Sequence, residues 1–104
     1  LVLRDPAEAI RAADVVNVDV WASMGMEAEQ ERRLVLFSSY QLDSELLARA
    51  REDAIVLHCL PAHRGEEITD EVLEGERSVV FDQAENKMHL HKAILESFLA
   101  GSTH

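Results

Sequence analysis

Short β-branched or apolar runs alternate along this chain with stretches of helical character. Val15-Val16-Asn17-Val18-Asp19-Val20 reads as a strand because β-branched residues fit a pleated surface. The continuous apolar run Ala54-Ile55-Val56-Leu57 has the look of a buried parallel strand. Ser78-Val79-Val80-Phe81 predicts a third strand. Helices fill the intervals. Asp5-Pro6 sets a capping residue before a proline at the first helical position, predicting a helix through Ala13. Residues 27–37 carry helix-favouring Glu, Gln, Arg and Leu, with Leu34 and Phe37 on one face. Asp43 is placed to cap a short helix through Ala50 that buries Leu46 and Leu47. Thr69 is placed to cap residues 70–74, with Gly75 closing that helix. Asp82 and Glu85 have the spacing of a capping box. The helix they open would bury Met88, Ile94, Leu95, Phe98 and Leu99 and end at Gly101. The tail Ser102-Thr103-His104 is expected to fray. Strands alternating with helices predict an α/β fold, a parallel sheet flanked by helices.

If the strands are parallel, their carboxyl ends share one edge, where open α/β sheets bind ligands. Three polar clusters fall there: Asp19 with residues 21–25, residues 59–65, and residues 82–87. The middle cluster belongs to His58-Cys59-Leu60-Pro61-Ala62-His63-Arg64-Gly65, which holds the only cysteine of the chain. Pro61 removes a backbone donor and Gly65 frees the backbone, so the strand ends there in a shaped loop. That loop releases a thiol, an imidazole and a guanidinium onto a rigid base.

Each of these residues has a plain reading as well as a functional one. Asp19 can be a residue leaving the sheet, or a carboxylate that grips a ligand ammonium. Ser23-Met24-Gly25 can be an ordinary turn, or a source of hydroxyl and backbone groups for an amino-acid head group. A lone cysteine usually packs as a small hydrophobe. His58 is a poor base for Cys59, because neighbours on a strand point to opposite faces. The histidines show no zinc-ligand spacing; His89 and His91 point about 200° apart on a helix.

At 104 residues the chain makes one domain with a modest core. Aromatics are only 5% of the residues, so that core rests on Val, Leu, Ile and Ala. The net charge of −10 repels phosphate backbones and anionic lipid, which argues against nucleic-acid and membrane partners. A small anion remains compatible, since one local cation can hold it. One cysteine forms no internal disulfide, which suits a reducing cytoplasm. The chain opens on Leu1 without a methionine, in what reads as the end of a strand, so a piece of a longer protein is expected.

The octet from His58 to Gly65 resembles the signature loop of the ornithine carbamoyltransferases. Asp19-Val20-Trp21-Ala22-Ser23-Met24-Gly25 resembles their ornithine-binding segment, and Phe81-Asp82-Gln83-Ala84-Glu85-Asn86-Lys87 their late carbamoyl-phosphate segment. The resemblance implies a Rossmann-like fold, with residues 1–104 forming the C-terminal part of the ornithine-binding domain of a two-domain carbamoyltransferase. It implies transfer of a carbamoyl group from carbamoyl phosphate to the side-chain amine of L-ornithine, giving citrulline and phosphate. Asp19 would hold the α-amino group, with Ser23 and Met24 completing the ornithine contacts. Cys59 and Leu60 would line the reacting centre, making Asp19 and Cys59 the catalytic candidates. Lys87 would serve carbamoyl phosphate, where the family usually has arginine; a planar fork of donors is there replaced by a point charge.

The resemblance also implies a homotrimer, a cytoplasmic setting, and no metal or organic cofactor. The Ser-Thr-Arg-Thr-type anion loop of the family is absent from the sequence; in the family it lies in an N-terminal domain. The isolated chain is therefore expected to be inactive and to leave its last helix short of a packing surface. Other readings are a carbamoyltransferase for another amine, such as putrescine or N-acetylornithine, and a non-catalytic truncated module. The site faces a definite demand. An alkyl ammonium is about one part in a thousand neutral at pH 7, a handicap of roughly 4–5 kcal/mol.

Overall fold

Two parallel strands form the base of the molecule in a computed structural model that describes residues 1–101. Strand β1 is Val15–Val18 and β2 is Ile55–His58, paired in register from Val15 opposite Ile55 to Val18 opposite His58. Helices α1 (Pro6–Ala9), α2 (Glu27–Phe37), α3 (Ser44–Leu47), α4 (Asp70–Leu73) and α5 (Val80–Leu99) surround them. The fold is α/β, as the alternation of patterns predicts. The residues 102–104, expected to fray, lie outside the described residues.

The helix starts follow local hydrogen-bond chemistry. The carboxylates of Asp5 and Asp43 and the hydroxyl of Thr69 each accept a bond from an amide in the first turn of the following helix. Two helices are shorter than the sequence pattern predicts. After Ala9 the chain tightens, and Ala12 takes a positive φ of 59° that turns it into β1. After Leu47 the winding tightens, and Arg49 and Ala50 make bonds to carbonyls three residues back.

The third strand expected at residues 78–81 is not formed. Val56 exchanges one pair of bonds with this segment, donating to Arg77 O at 2.8 Å and accepting from Val79 N at 3.0 Å. Ser78 therefore makes only an isolated parallel bridge to Val56. Beyond it Val79 O accepts from Gln83 N at 2.9 Å, and the helical ladder takes over. The β-branched residues of this segment carried strand propensity, but the helix-forming residues after them set the geometry. Helix α5 consequently begins at Val80, before Asp82, so the expected capping box is absent. Asp82 sits in the first turn, and Glu85 instead pairs with His89 one turn on, at 3.4 Å.

Ile10, Leu42, Leu47, Val56, Ile68, Val72, Leu73 and Val80 form the core. Helix α5 contributes only Val80 to it. Met88, Ile94, Leu95, Phe98 and Leu99, spaced for burial, are all exposed, Phe98 and Leu99 to 83%, as expected of a last helix left short of a packing surface. The helix runs past the edge of the small core. The chain accordingly has a radius of gyration of 16.5 Å, against about 13 Å for a compact domain of this length.

The far side of β1 has no strand partner among the described residues. An open groove of about 500 Å³ lies against it, floored by Ile10, Val16, Val18 and Leu46 and flanked by Phe37 and Tyr40. Trp21, Phe37 and Tyr40 pack in sequence along its rim, with ring centroids 6.2 and 5.8 Å apart.

Candidate functional site

Because β1 and β2 are parallel and in register, Asp19 and Cys59 leave the sheet side by side. The thiol of Cys59 donates to Asp19 Oδ1 at 3.4 Å. That same oxygen accepts the Val20 amide at 2.8 Å, which fixes the carboxylate at the strand end. Both residues are exposed. Partial burial pushes the Cys59 thiol up, and the hydrogen bond and charge of Asp19 push it the same way. Its own backbone contact and the Lys87 ammonium oppose this weakly. Lys87 thus lies within electrostatic reach of the thiol, although it comes from α5 and not from a strand end.

The raised thiol predicts slow alkylation. A group with an elevated pKa is less ionised at any pH below it, and the thiolate is the nucleophile. Iodoacetamide at pH 8 should modify Cys59 more slowly than a free thiol. Asp19→Asn removes the charge that helps to elevate the thiol and should speed the reaction at that pH. An unchanged or slower rate would show that the carboxylate does not govern the thiol.

His58 faces the other way. Its ring is buried and meets the equally buried Glu67, with Nε2 2.8 Å from Oε1. The Leu60 amide donates to Nδ1 at 2.8 Å, so Nδ1 is the acceptor and Nε2 carries the proton given to Glu67. Leu60 adopts a positive φ of 56°, a left-handed conformation that disfavours an L residue with a side chain. The bond to His58 secures it there. Behind this, the His58 amide donates to Gln83 Oε1 at 3.0 Å, joining the strand end to α5. His58 is therefore a scaffold for the Cys59–Leu60 turn and offers Cys59 no base.

Ser23 and Met24 occupy a loop of their own. Gly25 at its tip has a φ of 89°, which glycine adopts without side-chain strain. Met26 N donates to Ser23 O at 3.1 Å, and Arg33 of α2 holds Trp21 O at 2.7 Å. The amides of Glu27 itself and of Gly25 hold the Glu27 carboxyl below the usual range. Ser23 and Met24 line a small cavity of about 120 Å³ with Glu27, Gln30 and His63. The Cys59–Asp19 pair is not among its lining residues. Arg64, grouped with the loop chemistry by sequence, turns away to ion-pair with Asp70 of α4 and with Glu74, the residue that caps that helix. The structure thus gathers Asp19, Cys59 and Leu60 at one edge, with Lys87 in electrostatic reach of the thiol, and sets Ser23 and Met24 to one side.

Glu67 and Gln83 were not singled out by the sequence. Glu67 lies nine residues beyond His58 within a polar loop, and no periodic pattern marks an inward-facing acid there. Gln83 did fall within the residues 82–87, but nothing showed that its amide would support strand β2.

Comparison with known proteins agrees with this fold. The profile of the family described as aspartate/ornithine carbamoyltransferase, Asp/Orn binding domain, matches residues 1–98. The chain is 68% identical over 97 residues to an ornithine carbamoyltransferase of Desulfotalea psychrophila, covering 93% of this chain and 32% of that one. It superposes on the ornithine carbamoyltransferase of Pyrococcus furiosus with a TM-score of 0.83 and 52% identity, over 90% of this chain and 30% of that one. An anabolic ornithine carbamoyltransferase from Campylobacter jejuni gives a TM-score of 0.84 at 42% identity, over 93% of this chain and 32% of the other. The chain thus spans about a third of the length of the relatives it matches.

Proposed function

This chain belongs to the aspartate/ornithine carbamoyltransferase family, in its Asp/Orn-binding domain, and from that premise we propose that it supplies the ornithine side of an ornithine carbamoyltransferase site. In the reaction the δ-amine of L-ornithine attacks the carbonyl carbon of carbamoyl phosphate. A C–N bond forms, the C–O bond to phosphate breaks, and the proton lost by the amine leaves with the departing phosphate. The products are citrulline and inorganic phosphate. The observation that carries this reading is the Asp19–Cys59 pair, held 3.4 Å apart at the shared carboxyl edge of the two strands.

Asp19 presents a charged acceptor for the α-ammonium of ornithine. Cys59 and the Leu60 backbone border the place where amine and carbonyl meet. Elevation of the thiol above its ordinary value keeps Cys59 protonated near neutrality, which favours contact with the reacting groups over covalent attack by a thiolate. Lys87 adds positive charge on the carbamoyl-phosphate side. Ser23 and Met24 reach the amino-acid end of ornithine by movement of their glycine-tipped loop toward the edge. The phosphate-binding loop comes from an N-terminal domain, and three such two-domain subunits form the working enzyme. A cytoplasmic setting in arginine metabolism accompanies this reading, supported by the single free cysteine. No helix among the described residues is long and apolar enough to cross a membrane.

Mixing the chain with the remaining N-terminal two-thirds of the Desulfotalea psychrophila relative, of which this chain covers 32%, tests the proposal. Citrulline and phosphate should appear in equal amounts from ornithine and carbamoyl phosphate with the mixture, and neither from the chain alone. Turnover with putrescine or N-acetylornithine in place of ornithine would overturn the substrate assignment. Ordinary turnover by the chain alone would overturn the division of the site between two domains.

A further inference from the structure

The turn between Leu60 and Ile68 carries a second group of polar side chains, on the far side of the His58 ring from Cys59. His63 Nδ1 lies 3.5 Å from Glu66 Oε2 and 3.8 Å from Glu67 Oε2. One ligand atom from each of the three residues falls within 4.8 Å of the others. We propose that His63, Glu66 and Glu67 form a binding site for a divalent transition-metal ion, with zinc as its natural probe.

Acidic residues clustered on a surface are common, and alone they would carry nothing. Glu67 is the difference. Its side chain is fully buried, and Oε1 takes both the His58 Nε2–H and the His63 amide, each at 2.8 Å. Oε2 is buried with no hydrogen-bond partner at all. A buried carboxylate oxygen without a donor is a standing penalty, and this one points at His63 and Glu66. A cation placed between the three groups would remove that penalty.

The geometry suits the ion. Ligand atoms about 2.0–2.2 Å from a tetrahedral zinc stand roughly 3.3–3.6 Å from one another. The two separations from His63, 3.5 and 3.8 Å, are close to that span, and the Glu66–Glu67 separation, within 4.8 Å, must shorten with them on binding. The two donors on Glu67 Oε1 act as the outer hydrogen bonds that orient a ligating carboxylate. The backbone is fixed as well: Gly65 N donates to Ile68 O at 2.9 Å, and Gln41 Nε2 donates to Gly65 O and Glu66 O at 2.7 and 2.8 Å. An imidazole beside two carboxylates favours zinc and its neighbours over calcium or magnesium, which prefer oxygen alone. Three protein ligands leave a fourth position, and His63 borders the cavity beneath Ser23 and Met24 where a water would fit. Spacing alone offers no hint of it, since the ligands come three and one apart within a turn that only the fold holds rigid.

Titration calorimetry of the 104-residue chain with zinc chloride at pH 7 tests the proposal. One zinc per chain should bind, and His63→Ala and Glu66→Gln should each weaken binding by more than about tenfold, the loss that even outer-sphere partners produce. Both variants leave the His58–Glu67 contact in place, and circular dichroism will show that they fold. Cys59→Ser should bind zinc as the parent does. X-ray absorption of the zinc-loaded chain should show nitrogen and oxygen neighbours only. Absence of binding, unchanged affinity in His63→Ala, or a sulfur neighbour at the metal would each overturn the site.

Discussion

His58→Leu should cost the chain about 3–5 kcal/mol of folding stability, the range seen when one partner of a buried polar pair is removed. Leucine fills much of the space, so lost packing is not the main cause. Glu67 Oε1 loses one of its two donors while remaining fully buried, beside an Oε2 that already has none. The Leu60 amide loses its acceptor at the same time, and the left-handed turn at Leu60 loses the bond that secures it. A small domain has only about 5–15 kcal/mol to begin with, so the variant would stand near the threshold of unfolding. Urea denaturation followed by circular dichroism reads the difference directly. His58→Asn separates the two contacts, because its side-chain oxygen can keep the Leu60 bond while the reach to Glu67 is lost. It should fall between parent and leucine variant. A loss below about 1 kcal/mol for His58→Leu would mean that the pair contributes no more than an ordinary exposed contact.

Asp19→Asn in the assembled two-domain enzyme should raise the KM for ornithine by roughly 30-fold to several thousand-fold. This corresponds to about 2–5 kcal/mol for loss of one partner of a buried charge pair. In the free chain Asp19 is exposed, and it is the arriving ligand and loop that would cover it; the upper part of the range therefore requires closure. The substitution keeps the shape and the Val20 amide bond but removes the charge. Cys59→Ser should act differently, lowering kcat while leaving measurable turnover, because a hydroxyl keeps a small polar group at the same place. A covalent route would instead collapse with loss of the thiol. An unchanged ornithine KM in Asp19→Asn would end the assignment of that residue. Complete inactivity of Cys59→Ser together with a carbamoylated Cys59 by mass spectrometry would end the non-covalent reading.

Much of this arrangement was legible because its signals are local. A capping residue before a helix acts within three positions, and Asp5, Asp43 and Thr69 all make the bonds their types predict. Strands β1 and β2 were legible from β-branched and apolar runs, and their parallel pairing followed from the alternation with helices. The neighbourhood of Asp19 and Cys59 followed in turn. What failed was non-local. Residues 78–81 had strand propensity, yet one residue of pairing with Val56 was all the surrounding helix allowed. The apolar residues of α5 have the right spacing for burial, but a pattern does not say whether a surface is there to receive them. Ser23 and Met24 precede a helix whose position sets where they point, and that position puts them beside His63. The buried Glu67 depends on a turn closed by Gln41 from another part of the chain, which no spacing rule contains.

The unpaired side of β1 gives the molecule a direction for growth. Its amides and carbonyls repeat at the spacing of a strand, so they specify where the next strand must lie as firmly as β2 does on the other side. Val16 and Val18 are half-buried and alternate with the exposed Val15 and Asn17. A newcomer displaced by one residue would turn its apolar face to water and its polar face into the groove. The edge therefore acts as a ruler with two-residue graduations. It accepts an incoming parallel strand in one phase, and a chain that joins out of phase gains the backbone bonds while losing the burial that makes the join permanent.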